Sequence, residues 1–136
     1  MRYLNKLLSI GLLYGAFCIP AYADLELIRI DLSQGCPPAV VDDEPRDNDR
    51  CAGDSACRRP GENVRWEITG APAEQFSVIF GDTSLFANWG QGLCRQTSGN
   101  ANRIQCRIRD DAPIDSEYYY DVSVGSCVID PRIIIR

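Results

Sequence analysis

Phe86 and Trp89 stand three residues apart in a stretch flanked by Gly81, Gly90 and Gly92, and with Tyr119 they are the side chains best suited to touch a ligand. Aromatic rings on such a loop stack on sugars or anchor a protein partner. The plainer use of Phe86 and Trp89 is to cap the open end of a hydrophobic core. Arg103, Arg107 and Arg109 form a second candidate group, suited to an anionic partner or simply to the neighbouring acids. A third is the carboxylates: Asp82, Glu117 and Asp121 have the chemistry of a glycoside hydrolase, which needs only two acids. With 19 acidic residues in the chain, however, coincidence accounts for such a set. The acidic stretch from Asp42 to Asp54 offers oxygen ligands to calcium, and Asp47 and Asp49 alternate as a calcium loop requires. Cys51 then stands where a further oxygen is wanted, so a solvated acidic loop is the default reading.

Other chemistries are closed. The chain has no histidine, its one lysine is Lys6 and its one methionine is Met1. Nucleophilic hydrolases of the usual kind need His or Lys as the base beside the nucleophile. No Cys-x-x-Cys redox motif occurs, and the wide cysteine spacings argue against structural zinc. These absences predict a protein without catalysis and without a cofactor.

Residues 1–23 combine Arg2 and Lys6, an apolar run from Leu7 to Ile19 and the Ala21-Tyr22-Ala23 tripeptide. This is the pattern of a secretory signal cleaved after Ala23, and the run is too short to span a membrane. Asp24 to Arg136 is then a single domain, periplasmic or secreted. The full chain carries a net charge of −5, and losing Arg2 and Lys6 makes the remainder more acidic still. Such a domain is poorly matched to nucleic acid or to anionic membranes.

Cys18 leaves with the leader, and Cys36, Cys51, Cys57, Cys94, Cys106 and Cys127 remain. An even number in a short exported chain reads as a disulfide framework. Ser98-Gly-Asn-Ala-Asn102 is a turn, and a three-residue loop at 99–101 sets Cys94 opposite Cys106 at bridging distance. Cys51 with Cys57 would close a small loop and leave Cys36 with Cys127. Other partners for Cys36 and Cys51 stay open.

The elements that must position these groups are strands. Val64, Trp66 and Ile68 alternate with Arg65, Glu67 and Thr69, and Phe76, Val78 and Phe80 alternate with Gln75 and Ser77. Period two means half-buried strands, here the centre of the fold, forming either a hairpin or a crossing between two sheets. The first strand, 24–32, switches parity at Leu27-Ile28, predicting a bulge or burial on both faces. Residues 33–62, with Pro37, Pro38 and Pro45, read as irregular chain held by its cysteines. Ile104, Cys106 and Ile108 point inward, as do Tyr118, Tyr120, Val122 and Val124. Tyr119 and Asp121 point outward. If these last two strands pair, arginines and acids face each other across them.

The expected fold is an antiparallel β-sandwich of seven or eight strands, stapled by disulfides. Tyr118-Tyr-Tyr-Asp-Val-Ser-Val124 followed by Asp130-Pro-Arg-Ile-Ile-Ile135 resembles the closing strands of small exported bacterial sandwiches of immunoglobulin-like or cupredoxin-like topology. That resemblance implies a fold and no activity. Cupredoxins hold copper with His, Cys and Met, and this chain lacks the histidine altogether. The functional expectation is an exported module that binds a protein partner through Phe86, Trp89 and Tyr119. A carbohydrate-binding module using Phe86 and Trp89 is the second expectation, and a carboxylate-dependent hydrolase the third.

Overall fold

The computed structural model describes residues 25–42, 51, 53–70 and 75–136. The signal segment, and residues 43–50 of the acidic stretch considered for calcium, lie outside them. The described residues form nine strands and two short 3₁₀ turns, at Thr83–Leu85 and Gly99–Ala101. The strands are β1 (Leu25–Asp31), β2 (Ala39–Asp42), β3 (Ser55–Arg58), β4 (Asn63–Thr69) and β5 (Ser77–Phe80), followed by β6 (Arg103–Arg107), β7 (Glu117–Val124), β8 (Cys127–Ile129) and β9 (Arg132–Ile135). One sheet runs β2-β1-β4-β6 and the other β3-β9-β7-β5, with β8 also on β7.

The expected all-β sandwich is therefore observed, with nine strands among the described residues where seven or eight were expected, and with a correction to its pairing. β1 runs parallel to β4 over seven residues, and β3 runs parallel to β9, so both sheets are mixed rather than antiparallel. Parallel neighbours require a long connection. The segment after β1 supplies it: the chain expected to be irregular carries β2 and β3 on its way to β4. The two central strands, β4 and β5, lie in different sheets, which settles the hairpin-or-crossing alternative in favour of crossing. β6 and β7 also part company, so the arginines of β6 do not meet the acids of β7. β1 has no bulge. Its even-numbered residues Glu26, Ile28 and Ile30 all face the core, and Leu27 is half-buried on the other side.

Trp66 sits at the centre with no exposed surface. Its ring meets Phe80, Phe86 and Tyr120 edge-on at centroid distances of 5.9, 6.0 and 5.8 Å. Each such contact adds about 0.5–1.5 kcal/mol beyond simple burial. The indole Nε1 donates to the Tyr120 hydroxyl at 3.1 Å, joining β4 of one sheet to β7 of the other. Burial pushes the Tyr120 phenol well above its ordinary range, so it stays protonated. Tyr120→Phe is expected to cost about 1–3 kcal/mol in urea unfolding, because the buried indole N–H loses its acceptor. A loss below about 0.5 kcal/mol would mean the N–H finds another partner.

All three cysteine pairings expected from spacing are present: Cys36–Cys127, Cys51–Cys57 and Cys94–Cys106, with Cα atoms 5.7, 5.3 and 4.6 Å apart. The last forms as expected, and a three-residue turn at Gly99–Ala101 with Asn102 at a left-handed φ of 56° lies between its cysteines. They are not opposed residues of a hairpin, however: Cys106 pairs with Val64 of β4, and residues 96–98 pair with 76–78. The segment after Cys94 then leaves β6. Val78 donates to the Gln96 carbonyl and Ser77 bridges Thr97, so this segment shields the edge of β5.

Candidate functional site

The loop 82–92 is built from tight turns. Asp82 accepts from the Ser84 amide at 3.0 Å and opens the first 3₁₀ turn. The Ser84 hydroxyl and amide hold the Asp82 carboxyl below its ordinary range. Phe86 then bridges Ile108, and Gly90 donates to the Cys94 carbonyl at 2.7 Å, folding the loop down on the end of the sandwich. Phe86 is 5% exposed and belongs to the core. Trp89, half-buried, stacks on Phe86 at 5.7 Å and meets Phe80 edge-on at 6.0 Å. These two rings cap the hydrophobic interior, the plainer of the roles considered for them. Phe86 has no face left to offer a ligand.

Two of the three candidate arginines, Arg107 and Arg109, are answered locally. Arg107 reaches Asp110 at 3.1 Å, and Arg109 forms a two-point contact with Asp111 at 2.8 and 2.7 Å. Arg109 holds the Asp111 carboxyl below its usual range. Arg109, Asp111, Asp82, Ser84 and Tyr118 line a cleft of about 370 Å³, in which Arg109 is paired with Asp111 and Asp82 accepts from Ser84. The candidate hydrolase acids do not converge. Asp82 and Asp121 line separate clefts, and Glu117 accepts from the Tyr119 hydroxyl at 3.2 Å and lies 3.6 Å from Arg132.

Tyr119 has a different setting. It is 61% exposed on the outer face of β7, the face shared by Glu117, Asp121 and Ser123. Ile79 of β5 lies opposite Asp121, and Val128 of β8 lies opposite Ser123. Directly paired residues project to the same side of a sheet. Ile79 at 40% and Val128 at 55% exposure therefore join Tyr119 on one surface. The remaining large exposed apolar side chain among the described residues, Ile114, stands apart on a turn. An open depression of about 670 Å³ runs along this surface between Ile79, Gly81, Tyr119, Asp121 and Asp130.

Reading the sequence for site residues picked out Tyr119 and passed over Ile79, Val128 and Asp130. A signal for Ile79 was present: the alternation of Phe76, Val78 and Phe80 assigns it to the solvent side, an unusual place for isoleucine. Val128 and Asp130 gain meaning only once β8 is paired with β7.

A further cleft of about 320 Å³ is lined by the amide side chains of Asn63, Asn88, Gln91 and Gln105. Two of these amides are already engaged, since Asn88 Oδ1 accepts from the Arg107 amide and Gln105 Oε1 accepts from the Arg65 guanidinium.

No protein-family model matches the chain, and no curated protein matches it. Among solved structures, a point variant of amicyanin in its reduced Cu(I) form at pH 4 is similar at 10% identity and a TM-score of 0.38, over 81% of this chain and 82% of that one.

Proposed function

We propose that this protein is an exported, non-catalytic β-sandwich module that recognises a protein partner in the bacterial envelope through the outer face of β5, β7 and β8. The observation that carries this reading is the gathering of Tyr119, Ile79 and Val128, three large apolar side chains exposed to water, on one sheet face. Large apolar side chains exposed together on one face, with polar groups among them, are a mark of a protein contact. Three disulfides in so short a chain support an oxidising compartment. The contact role expected of Phe86 passes to Tyr119, with Trp89 at the end of the sandwich.

A carbohydrate-binding function is the second reading, favoured by the amide-lined cleft around Asn88 and Gln91 beside Trp89. Amide groups supply both donors and acceptors for sugar hydroxyls.

One pair of measurements separates the two. The oxidised protein, immobilised in a bacterial envelope extract, is expected to retain one dominant partner. Tyr119→Ala is expected to weaken that retention by at least roughly tenfold while leaving the thermal midpoint in place. Undiminished retention by the Tyr119→Ala protein overturns the assignment of the surface. A saturable shift of tryptophan fluorescence with a glycan, lost in Trp89→Ala, would replace the protein reading with the sugar one.

A further inference from the structure

β8 and β9 hold one common register against β7: Val122 pairs with Ile129 on one side of the junction and Tyr119 with Arg132 on the other. The Asp130-Pro131 step between them interrupts the ladder, although the Tyr120 amide still donates to the Pro131 carbonyl at 3.1 Å. Asp130 consequently falls opposite Asp121, on the solvent side. Sheets ordinarily set opposite charges, or an apolar residue, across from a carboxylate, because like charges at this position destabilise the pair.

The other charged groups on this face leave the two acids unanswered. The charged ones are Glu117 on β7, Arg132 on β9 and, before β3, Asp54, which shares a cleft with Asp130, and β7 adds the neutral phenol of Tyr119. β5 contributes only Ser77 and Ile79 here. Arg132 donates to Ser55 Oγ at 2.6 Å and lies 3.6 Å from Glu117, so it is committed to the other end of the face. Among the described residues, no arginine forms an ion pair with Asp121 or Asp130. A hydrogen bond from one carboxyl to the other, then desolvation and mutual repulsion, raise the Asp121 carboxyl above its ordinary range.

The face thus combines exposed apolar side chains with a doubled negative charge, and this combination specifies an occupant. We propose that the depression bordered by Ile79, Tyr119, Asp121 and Asp130 receives an arginine from an apolar segment of a partner protein. The guanidinium bridges the two carboxylates, and the flanking apolar residues of the partner lie on Tyr119, Ile79 and Val128. Arginine suits the place better than lysine because its planar fork can donate to two carboxylates at once and stack on the tyrosine ring. This inference deepens the protein-partner reading above and rests on it.

The test uses the ¹⁵N-labelled oxidised protein and two peptides, acetyl-Leu-Arg-Leu-amide and its neutral isostere with citrulline in place of arginine. At pH 7 the arginine peptide is expected to shift the amides of Ile79, Tyr119, Asp121, Val128 and Asp130 saturably, and to bind roughly tenfold or more tightly than the citrulline peptide. The preference should fall away in Asp121→Asn with Asp130→Asn. It should also weaken as the pH drops through the raised pKa of Asp121, where the pair takes up a proton and loses half its charge.

The same double variant should melt at a higher temperature than the parent at pH 7. The shared proton stabilises the fold at low pH, and that contribution disappears as the pH rises through the raised pKa. Removing the repulsion therefore helps at neutral pH, and little below the raised pKa of Asp121, where the bound proton already relieves it. Equal binding of the two peptides overturns the proposal, as does binding elsewhere, no response to the arginine peptide up to its solubility limit, or full affinity in the double variant. Concentration-dependent shifts of the same amides without peptide would assign the face to a second copy of the chain and overturn it too. If partner capture depends on Tyr119 while the arginine preference is absent, this inference fails alone. If Tyr119→Ala leaves capture intact, the surface itself is wrong.

Discussion

Arg58→Ala is expected to destabilise the protein by about 3–5 kcal/mol, the usual cost of removing one member of a buried ion pair. Arg58 has no exposed surface, although it lies on β3, an edge strand. Its Nη1 and Nη2 donate to the two carboxylate oxygens of Asp42 at 3.0 and 2.9 Å, and Nη1 also donates to the Cys57 carbonyl at 2.8 Å. Asp42 belongs to β2 of the other sheet, so the two-point contact ties the sheets together along one margin. Without the guanidinium, the Asp42 carboxylate faces a low-dielectric interior with its principal counter-charge gone. Replacing both partners with apolar residues of similar volume, Arg58→Met with Asp42→Leu, is expected to recover most of the loss. Urea unfolding with the disulfides intact measures both. A single-variant loss under about 1 kcal/mol would show that water reaches the site and screens it.

The second large effect concerns Cys36 and Cys127. Their bridge spans 91 residues of sequence, against 6 for Cys51–Cys57 and 12 for Cys94–Cys106. Restriction of the unfolded chain grows with the loop closed, so replacing Cys36 and Cys127 by serine should cost about 4–5 kcal/mol, compared with about 2 kcal/mol for the shortest loop. Cys36 is also exposed and Cys127 half-buried, whereas Cys94 and Cys106 are wholly enclosed. Limited reduction followed by alkylation is expected to label Cys36 and Cys127 first and to lower the melting temperature at that step. Labelling of Cys94 and Cys106 ahead of them would contradict this order.

Much of this architecture is legible in the chain because it depends on local rules. Period-two alternation located β4, β5, β6 and β7, and turn chemistry located the turn at Gly99, whereas the Cys94–Cys106 bridge forms without the hairpin from which it was expected. What escaped depends on neighbours distant in sequence. All four residues of β3 are buried, so no alternation marks the strand, and Arg58 in its interior argues against a core element until Asp42 is seen beside it. β2 spans only Ala39–Asp42 and follows a pair of prolines. Parallel pairing leaves no local signature, and the antiparallel expectation rested on the short spacing of turns.

The candidate site was legible in the same uneven way. Parity placed Tyr119 and Asp121 outside correctly. Phe86 and Trp89 were ambiguous because an aromatic ring in a glycine-flanked loop serves a core lid and a binding surface equally well, and the fold separates them by burial alone: Phe86 is enclosed and Trp89 keeps an exposed part. The opposition of Asp121 and Asp130 needs a register that runs through a proline, and no single-sequence pattern carries that.

β9 lies between β3 and β7 in its sheet, although it is the ninth strand in chain order. Among the described residues β3 has no strand partner but β9, so an early segment of the polypeptide stays unpaired in its sheet until residues 132–135 arrive. Closure of this sheet is therefore a contact between stretches far apart along the chain, which makes it a late and slow event in folding.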